Sequence, residues 1–296
     1  MIQRFAHLGT RLFNTPIAMH PRKAEIAIGA LAERLGITQI VNLNGEAIRP
    51  GAWYDDDEDF SSSRRTNADC GYDVLGGVAV IPVTGTLVHK LGSLRPYSGM
   101  TGYDGIRQAY LTAQADPDVR GIACIYDTGG GEVAGCADLA DTMLELRGNK
   151  PVWSILSESA YSAGYWLAST ADKVIVPRTG GIGSIGVIAM HVDMSKAIQS
   201  AGLKVTFITS EGADRKTDGH SEIPLSDDAY AAIKAEIDAM GEIFYDSVAR
   251  SRGMTTEKVR GLKAGTFMGA AGVTQSLADA VMAPDAAFAA LLAEVA

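Results

Sequence analysis

Hydrophobic and polar positions follow two alternating periods along most of the chain. Short apolar runs of strand length recur, and between them lie longer segments whose apolar residues repeat every three or four positions, as on one face of a helix. The short runs predict strands at residues 78–83, 121–126, 152–156, 173–176 and 204–208. The longer segments predict helices at residues 103–115, 136–146, from 162 onward, 195–201, 226–252, 255–262 and 270–280. Strands that alternate with helices predict an α/β fold with a largely parallel sheet.

The predicted main domain covers residues 78–284, and the chain on either side differs in composition. Residues 1–50 contain one amphipathic pattern, over 22–35, which predicts a helical N-terminal extension. Residues 51–77 hold an acidic run and a serine run with few residues able to enter a core, which predicts a flexible linker. Residues 285–296 are rich in alanine and predict a frayed helical tail.

Composition narrows the classes of function. The net charge of −9 argues against a nucleic-acid-binding surface. The three cysteines form no CxxC pair, which favours a reducing compartment over a disulfide framework or a metal site. No apolar run is long enough to span a bilayer, and no GKS/T or GxGxxG motif indicates a nucleotide site. We therefore expect no nucleic acid, no membrane, no metal and no cofactor.

Ser162 is the first candidate for chemistry. It lies where the predicted strand at 152–156 gives way to a helix, beside the small residues Ala163 and Gly164. The amides and the positive dipole end of that helix would favour a developing anion, and the small neighbours would let a substrate backbone approach. Ser162 is therefore either a nucleophile or a simple helix N-cap, and the local sequence alone favours the cap.

Three further segments could complete a site around Ser162. Residues 127–133 contain three consecutive glycines, whose amides could surround an oxyanion. Residues 180–187 carry one hydroxyl, Ser184, among glycines, and residues 211–220 place Lys216 in a polar loop. Each feature has an ordinary structural explanation, because tight turns use glycine and loop lysines are usually solvated.

A serine nucleophile needs a base, and the residues offer two kinds. His191 and His220 are candidates, although neither lies in a recognisable hydrolase setting and the chain has no GxSxG elbow. A lysine can do the same work where burial or a nearby positive dipole favours its neutral form. The residue pattern alone leaves Lys216 and the two histidines as alternatives.

The order of these motifs resembles the signal peptide peptidase A family of serine–lysine proteases. The resemblance rests on Asp-Thr-Gly-Gly-Gly at 127–131, Tyr-Ser-Ala-Gly-Tyr at 161–165, Gly-Ser-Ile-Gly-Val at 183–187 and Lys216. Residues 96–103 and the N-terminal helix are similar to the phage branch of the family, the capsid maturation proteases of the lambda C protein type.

The resemblance implies a role for each candidate residue. Ser162 would be the nucleophile, Lys216 the general base, and Ser184 the hydroxyl that orients the lysine. The amides of Gly130 and Gly131 would form the oxyanion hole. The implied fold is similar to that of Clp protease and crotonase, a spiral of β-β-α units that here follows the N-terminal helical extension.

The resemblance also implies a biological role. The chain would be a serine endopeptidase that cleaves scaffold, portal and other head proteins inside the procapsid, in the host cytoplasm, and it would be virion-associated. It would form a homo-oligomeric ring. Three alternatives stay open: a bacterial signal-peptide-peptidase-like protease, a crotonase-like acyl-thioester enzyme that needs no serine nucleophile, and a catalytically silent minor capsid protein.

Overall fold

The computed structural model describes residues 69–296 continuously, and it describes the backbone of residues 17–19, 40–41 and 47–48. The helix predicted at 22–35 lies outside the described residues. Ten of the described strands form one sheet, and the remaining two pair with each other. The ladders within the large sheet are mostly parallel, which confirms the α/β fold with a parallel-rich sheet.

The elements follow one another in the alternating order that the sequence pattern predicts. The strands are β1 (Ile17–Met19), β2 (Ile40–Val41), β3 (Ala47–Ile48), β4 (Asp73–Leu75), β5 (Val78–Val88), β6 (Met100–Gly102), β7 (Gly121–Glu132), β8 (Val152–Tyr161), β9 (Lys173–Val176), β10 (Gly181–Gly183), β11 (Thr266–Met268) and β12 (Ala280–Val281). The helices are α1 (Tyr103–Ala115), α2 (Cys136–Glu145), α3 (Ala163–Ala168), α4 (Ser195–Ser200), α5 (Asp227–Arg252), α6 (Thr256–Gly261), α7 (Ala270–Thr274) and α8 (Pro284–Glu294). A 3-10 turn spans Asp214–Thr217.

The centre of the sheet is the parallel set β5, β7 and β8. Strand β8 pairs with β9 along its first half and with β10 along its second half, in both cases in parallel. Antiparallel pairs occur where β4 joins β5, β1 joins β7 and β11 joins β10. The carboxyl ends of β7, β8 and β10 therefore meet at one edge, the edge where α/β proteins bind their ligands.

The larger apolar core lies between the sheet and the helices α1, α2, α3 and α5. Its bulkiest fully buried side chains come from both layers: Trp166, Tyr110, Tyr126, Tyr165, Phe244 and Ile81. Strands of a parallel sheet are apolar on both faces, so the opposite face also needs a cover.

Helix α8 provides that cover. Its Ala287 and Leu291 are fully buried against Val78, Ala123 and Trp153 of the sheet. The frayed tail predicted for 285–296 is therefore wrong, because alanine and leucine positions in this segment bury against a second apolar core. The linker predicted for 51–77 also extends too far, since Tyr72 is buried in the first core and β4 pairs with β5.

Three other boundaries differ from the sequence pattern. The glycine segment predicted as a loop at 127–133 is the end of strand β7, which runs to Glu132. Residues 204–208 form no strand, because no described strand pairs with them. The helix predicted over 270–280 ends at Thr274, and its last predicted residue begins β12 beside β9.

Candidate active site

Ser162 lies between β8 and α3 in a backbone conformation that L-residues rarely adopt. Its φ is +55° and its ψ is −121°. Such a strained residue costs about 1–3 kcal/mol and persists only where its surroundings impose it. Its backbone N–H donates to the carbonyl of Gly183 at 2.8 Å. A serine held on a sharp strand-to-helix turn is the arrangement of hydrolase nucleophile elbows, here without their GxSxG sequence.

Helix α3 holds this turn from behind. All six of its residues are buried. Trp166 stacks on Phe244 of α5, with ring centroids 4.1 Å apart, and its Nε1–H donates to Ser247 at 2.8 Å. The hydroxyl of Tyr165 donates to the carbonyl of Leu277, also at 2.8 Å. These contacts fix the position of the residue that precedes the helix.

The Ser162 hydroxyl itself is buried and free. The residue is 0 % exposed, and its Oγ has no hydrogen-bond partner among the described residues. A buried polar atom without a partner costs about 1–3 kcal/mol, so it needs an explanation. The site therefore contains a candidate nucleophile, while no described residue is in place as its base.

Ser184 lies beside Ser162. Gly183 of β10 is opposite Tyr161 of β8. The residues that follow these two strand ends, Ser184 and Ser162, therefore lie side by side. Ser184 is buried, has a φ of +55°, and its N–H donates to the carbonyl of Gly265 at 2.9 Å. The structure thus brings the two predicted serines together at the ends of adjacent strands.

The two predicted oxyanion glycines lie on the strand next to Ser162. Gly130 has a φ of +101°, which suits glycine. A Cβ at Gly131 would come within 1.8 Å of the Leu87 carbonyl oxygen, so this position requires glycine for a close approach to β5. The amide of Gly130 donates to Thr128 Oγ1 at 3.0 Å, so in this conformation that amide already has an acceptor.

Thr128 is a residue of this site that sequence reasoning missed. Its buried hydroxyl accepts from Gly130 and donates to the carbonyl of Gly85 at 2.5 Å. Its methyl group lies against α3, because a Cβ at Gly164 would be 2.3 Å from Thr128 Cγ2. Thr128 therefore links β5, the glycine segment and the turn after Ser162. In the sequence, the feature that could have pointed to Thr128 is its position directly before the three glycines.

Lys216 does not reach Ser162 in this structure. It lies exposed on the 3-10 turn Asp214–Thr217, and Ser162 Oγ has no partner. His191 and His220 are not in place either, since the His191 ring instead meets the His220 carbonyl at 3.2 Å. The structure therefore assembles the serines and glycines but none of the three candidate bases.

The chain around Lys216 exposes many apolar side chains. They all lie between β10 and α5, on segments that form little regular structure within the described part of the chain: Ile188, Val192, Met194, Leu203, Val205 and Ile208. Ile208 is 94 % exposed. Exposed apolar residues mark an interaction surface where they form a contiguous patch, so this segment is a candidate for one.

Three further features of the described residues concern metal ligands, membrane-spanning helices and a buried thiol near the site. No cluster of three or more metal-ligating side chains occurs among them. None of their helices combines the length and apolar character that a bilayer-spanning helix needs. Burial raises the pKa of the Cys136 thiol to about 12, so this cysteine, which lies against the carbonyl of Ala163, stays protonated. It is therefore not a competing nucleophile.

The sequence of the region that contains Ser162 matches a known family profile. Peptidase family S49 matches residues 145–296, a range that contains Ser162, Ser184 and Lys216. The chain belongs to peptidase family S49. The glycines at 129–131 lie outside the matched range.

Two phage proteins are similar over nearly the whole chain. Head-tail preconnector protein GP5 of Enterobacteria phage P21 is 37% identical over 282 residues, covering 94% of this chain and 55% of that protein. Capsid assembly protease C of Escherichia phage lambda is 35% identical over 285 residues, covering 94% of this chain and 63% of that protein. Protease 4 of Haemophilus influenzae is more distant, with 25% identity over 213 residues, or 71% of this chain and 33% of that protein. The chain thus spans just over half to under two-thirds of the two phage relatives.

Proposed function

We propose that this chain is a serine endopeptidase with a serine–lysine dyad. Ser162 is the nucleophile, Lys216 the general base, and Ser184 the hydroxyl that orients the lysine. The observation that carries the proposal is the strained turn of Ser162, whose buried hydroxyl has no partner in the described structure. Strain and an unsatisfied polar group are tolerated together where function requires them.

The proposed reaction has two halves. Neutral Lys216 takes the proton of Ser162, whose oxygen attacks the peptide carbonyl and forms a tetrahedral oxyanion. The amides of Gly130 and Gly131 donate to that oxyanion, which requires the Gly130 amide to leave Thr128. The lysine then gives its proton to the leaving amine as the C–N bond breaks. Water hydrolyses the acyl-serine by the same steps and restores both residues.

We further propose that the dyad forms between subunits of a ring. Within one chain, Ser162 is buried and has no base beside it. Lys216 is exposed, on a segment whose apolar side chains are also exposed to solvent. Packing that segment against a neighbouring copy would remove its apolar surface from water and could bring Lys216 to the neighbour's serine. An isolated subunit would then be inactive, which suits a protease that acts only after it becomes concentrated.

The proposed substrates are scaffold, portal and other head proteins of a phage procapsid, so the enzyme would act inside the procapsid in the host cytoplasm and remain virion-associated. The names of the two phage relatives, a capsid assembly protease and a head-tail preconnector, support this role. We also propose a spiral of β-β-α units, like that of Clp protease and crotonase, as the finer description of the fold; the successions β5-β6-α1 and β9-β10-α4 support it.

The test combines active-site labelling with subunit mixing. A fluorophosphonate probe should label Ser162 in the assembled protein, and Ser162→Ala should lose both labelling and cleavage without unfolding. Persistent cleavage by Ser162→Ala would disprove the mechanism, and absent labelling would favour the acyl-thioester or silent alternatives.

Mixing Ser162→Ala with Lys216→Ala, each inactive alone, tests where the dyad forms. Under conditions that exchange subunits, activity should return, because some sites then pair an intact serine with an intact lysine from another chain. If mixed oligomers form and no activity returns, the dyad lies within one chain.

A further inference from the structure

A short N-terminal strand lies against the candidate oxyanion segment. Strand β1 pairs antiparallel with the end of β7, with Ile17 opposite Glu132, Ala18 opposite Gly131 and Met19 opposite Gly130. A part of the chain more than a hundred positions away in sequence therefore occupies the strand edge beside the two glycines that the proposed mechanism uses.

Strand β1 lies on the edge of β7 that faces Ser162. One edge of β7 pairs with β5 as far as Leu87 and Gly131. The other edge pairs with β8 up to Thr128 and Ala160, after which β8 ends and the chain turns into Ser162. Strand β1 therefore takes the edge that β8 leaves. Continuing the β8 register by two residues would place Ser162 level with Gly130, which is the residue opposite Met19.

An extended peptide is the ligand that such an edge would bind. Backbone N–H and C=O groups on an open strand edge pair with any extended chain, and the affinity comes mainly from main-chain hydrogen bonds. A peptide on the end of β7 would run past the oxyanion glycines and bring its backbone carbonyls beside Ser162. In the described chain β1 occupies this edge, opposite residues 130–132 of β7.

We propose that residues 17–19 are an intramolecular competitor of the peptide substrate, so that the chain holds its own peptide-binding edge closed. The proposal rests on the proposed protease function. Ser162 is 0 % exposed in this state, which agrees with a site that must open before a substrate enters.

The sequence of the segment suits a competitor that can be displaced. Ile-Ala-Met is an apolar tripeptide that can lie extended along a strand edge, as a peptide substrate would. It is flanked by Pro16 and, after His20, by Pro21. Proline has no N–H, so it cannot extend the ladder as a donor in either direction. A ladder of three residues is short enough for a longer substrate to replace.

The test uses two proline variants of the full chain. Successive amides of a strand point alternately toward and away from its partner, so the amides of Ile17 and Met19 face one way and that of Ala18 the other. Ile17→Pro/Met19→Pro removes one set and Ala18→Pro removes the other. One of these variants removes the donors to β7, and the other is its matched control.

The expected result separates binding from turnover. With fluorescein-labelled casein as substrate, the disrupting variant should lower KM by about three- to tenfold and leave kcat unchanged, as expected when a few backbone hydrogen bonds of a competitor are lost. In a Ser162→Ala background, a labelled peptide with the sequence of residues 13–23 should bind more tightly to the same variant by a similar factor. The control variant should match the wild type in both measurements.

The outcomes distinguish this proposal from the protease proposal. If no form labels with fluorophosphonate or cleaves casein, the protease function fails, and the peptide-binding measurement still reports on the strand edge. If the enzyme is active but KM and peptide affinity are equal in the wild type and both variants, or shift equally in both, the competitor role is overturned. Cleavage of the wild-type chain between residues 17 and 20 would also overturn it, because the segment would then be a substrate.

Discussion

The backbone N–H of Ser162 donates to the carbonyl of Gly183, across 2.8 Å, and this bond joins the candidate nucleophile to strand β10, which ends one residue before Ser184. The bond fixes the turn in a conformation with positive φ at a non-glycine residue. A Cβ atom makes this φ unfavourable. Replacing Ser162 with glycine, which has no Cβ atom, should therefore relieve the strain.

Ser162→Gly should therefore be more stable than Ser162→Ala. Both variants lose the buried, unpartnered hydroxyl, but only glycine adopts a φ of +55° without steric cost. We expect Ser162→Gly to raise the free energy of unfolding over that of Ser162→Ala by about 1 kcal/mol, the lower end of the strain range. Urea unfolding of the two inactive variants measures this difference. Equal or reversed stabilities would show that the turn is not strained.

Thr128→Val should destabilise the protein more than Thr128→Ser does. Valine keeps the shape of threonine but leaves the amide of Gly130 and the carbonyl of Gly85 without their buried partner. Loss of such a partner costs about 1–3 kcal/mol in stability. We expect a lower melting temperature for Thr128→Val, whereas Thr128→Ser retains both hydrogen bonds. Equal melting temperatures in the two variants would show that these two hydrogen bonds do not stabilise the glycine segment.

Gly164→Ala should be destabilising, and a second change should rescue it. The new Cβ would be 2.3 Å from Thr128 Cγ2, a distance that forces a shift next to Ser162. Thr128→Ser removes that methyl group, so the double variant should recover part of the loss. A double-mutant cycle in urea should give a coupling of about 0.5–3 kcal/mol, as residues in contact do. Strict additivity would contradict the close packing.

Phe244→Ala should destabilise the packing of helix α3, which follows the candidate nucleophile. Its ring is fully buried and stacks on Trp166 of helix α3. Replacing a buried phenylalanine with alanine typically costs about 3–5 kcal/mol. The preceding residue on the same helix, Ile243, is 53% exposed, so Ile243→Ala is the matched control and should have little effect. Similar losses of unfolding free energy in the two variants would mean that α5 packs differently.

Asp279 should contribute to stability only above acidic pH. Burial favours the neutral carboxyl, but hydrogen bonds from Arg252 and from the backbone N–H of Val174 more than offset this and hold the pKa of Asp279 below its ordinary value. A carboxyl with a lowered pKa in the folded state stabilises the fold above the unfolded pKa, and the contribution is lost as pH falls through the folded pKa.

The stability of Asp279→Asn tests this relation. The difference in unfolding free energy between wild type and Asp279→Asn should be constant above about pH 5 and should shrink below about pH 4. Asp141→Asn breaks an exposed ion pair with Arg250 and serves as the control, with an effect within about 1 kcal/mol at every pH. A constant difference for Asp279→Asn down to pH 2 would contradict the assignment.

The sequence predicted the elements whose signals are local. Helix α1 and strand β9 have the predicted bounds, because each has an uninterrupted period and clear ends. The position of Ser162 between a strand and a helix also follows from local residues. Its strained φ and its lack of a partner do not, since both depend on Gly183 and on the helix packed behind the turn.

The errors arose where structure depends on distant partners. Residues 204–208 have strand-like composition, but a strand forms only where another strand edge is available. The three glycines suggested a loop, whereas Gly131 permits the close approach of β7 to the backbone at Leu87. Strand β1 gave no signal, because three apolar residues between prolines carry too little periodicity, and its significance comes from what lies opposite it.

The packing of α8 has a consequence for synthesis. Leu291 of α8 and Val78, the first residue of strand β5, are buried in the same apolar cluster although they lie far apart in sequence. That face of the sheet stays uncovered until the ribosome has made residues 284–294. A nascent chain that has not yet reached α8 therefore exposes the apolar side chains of Val78, Ala123 and Trp153 to water and to other unfolded chains.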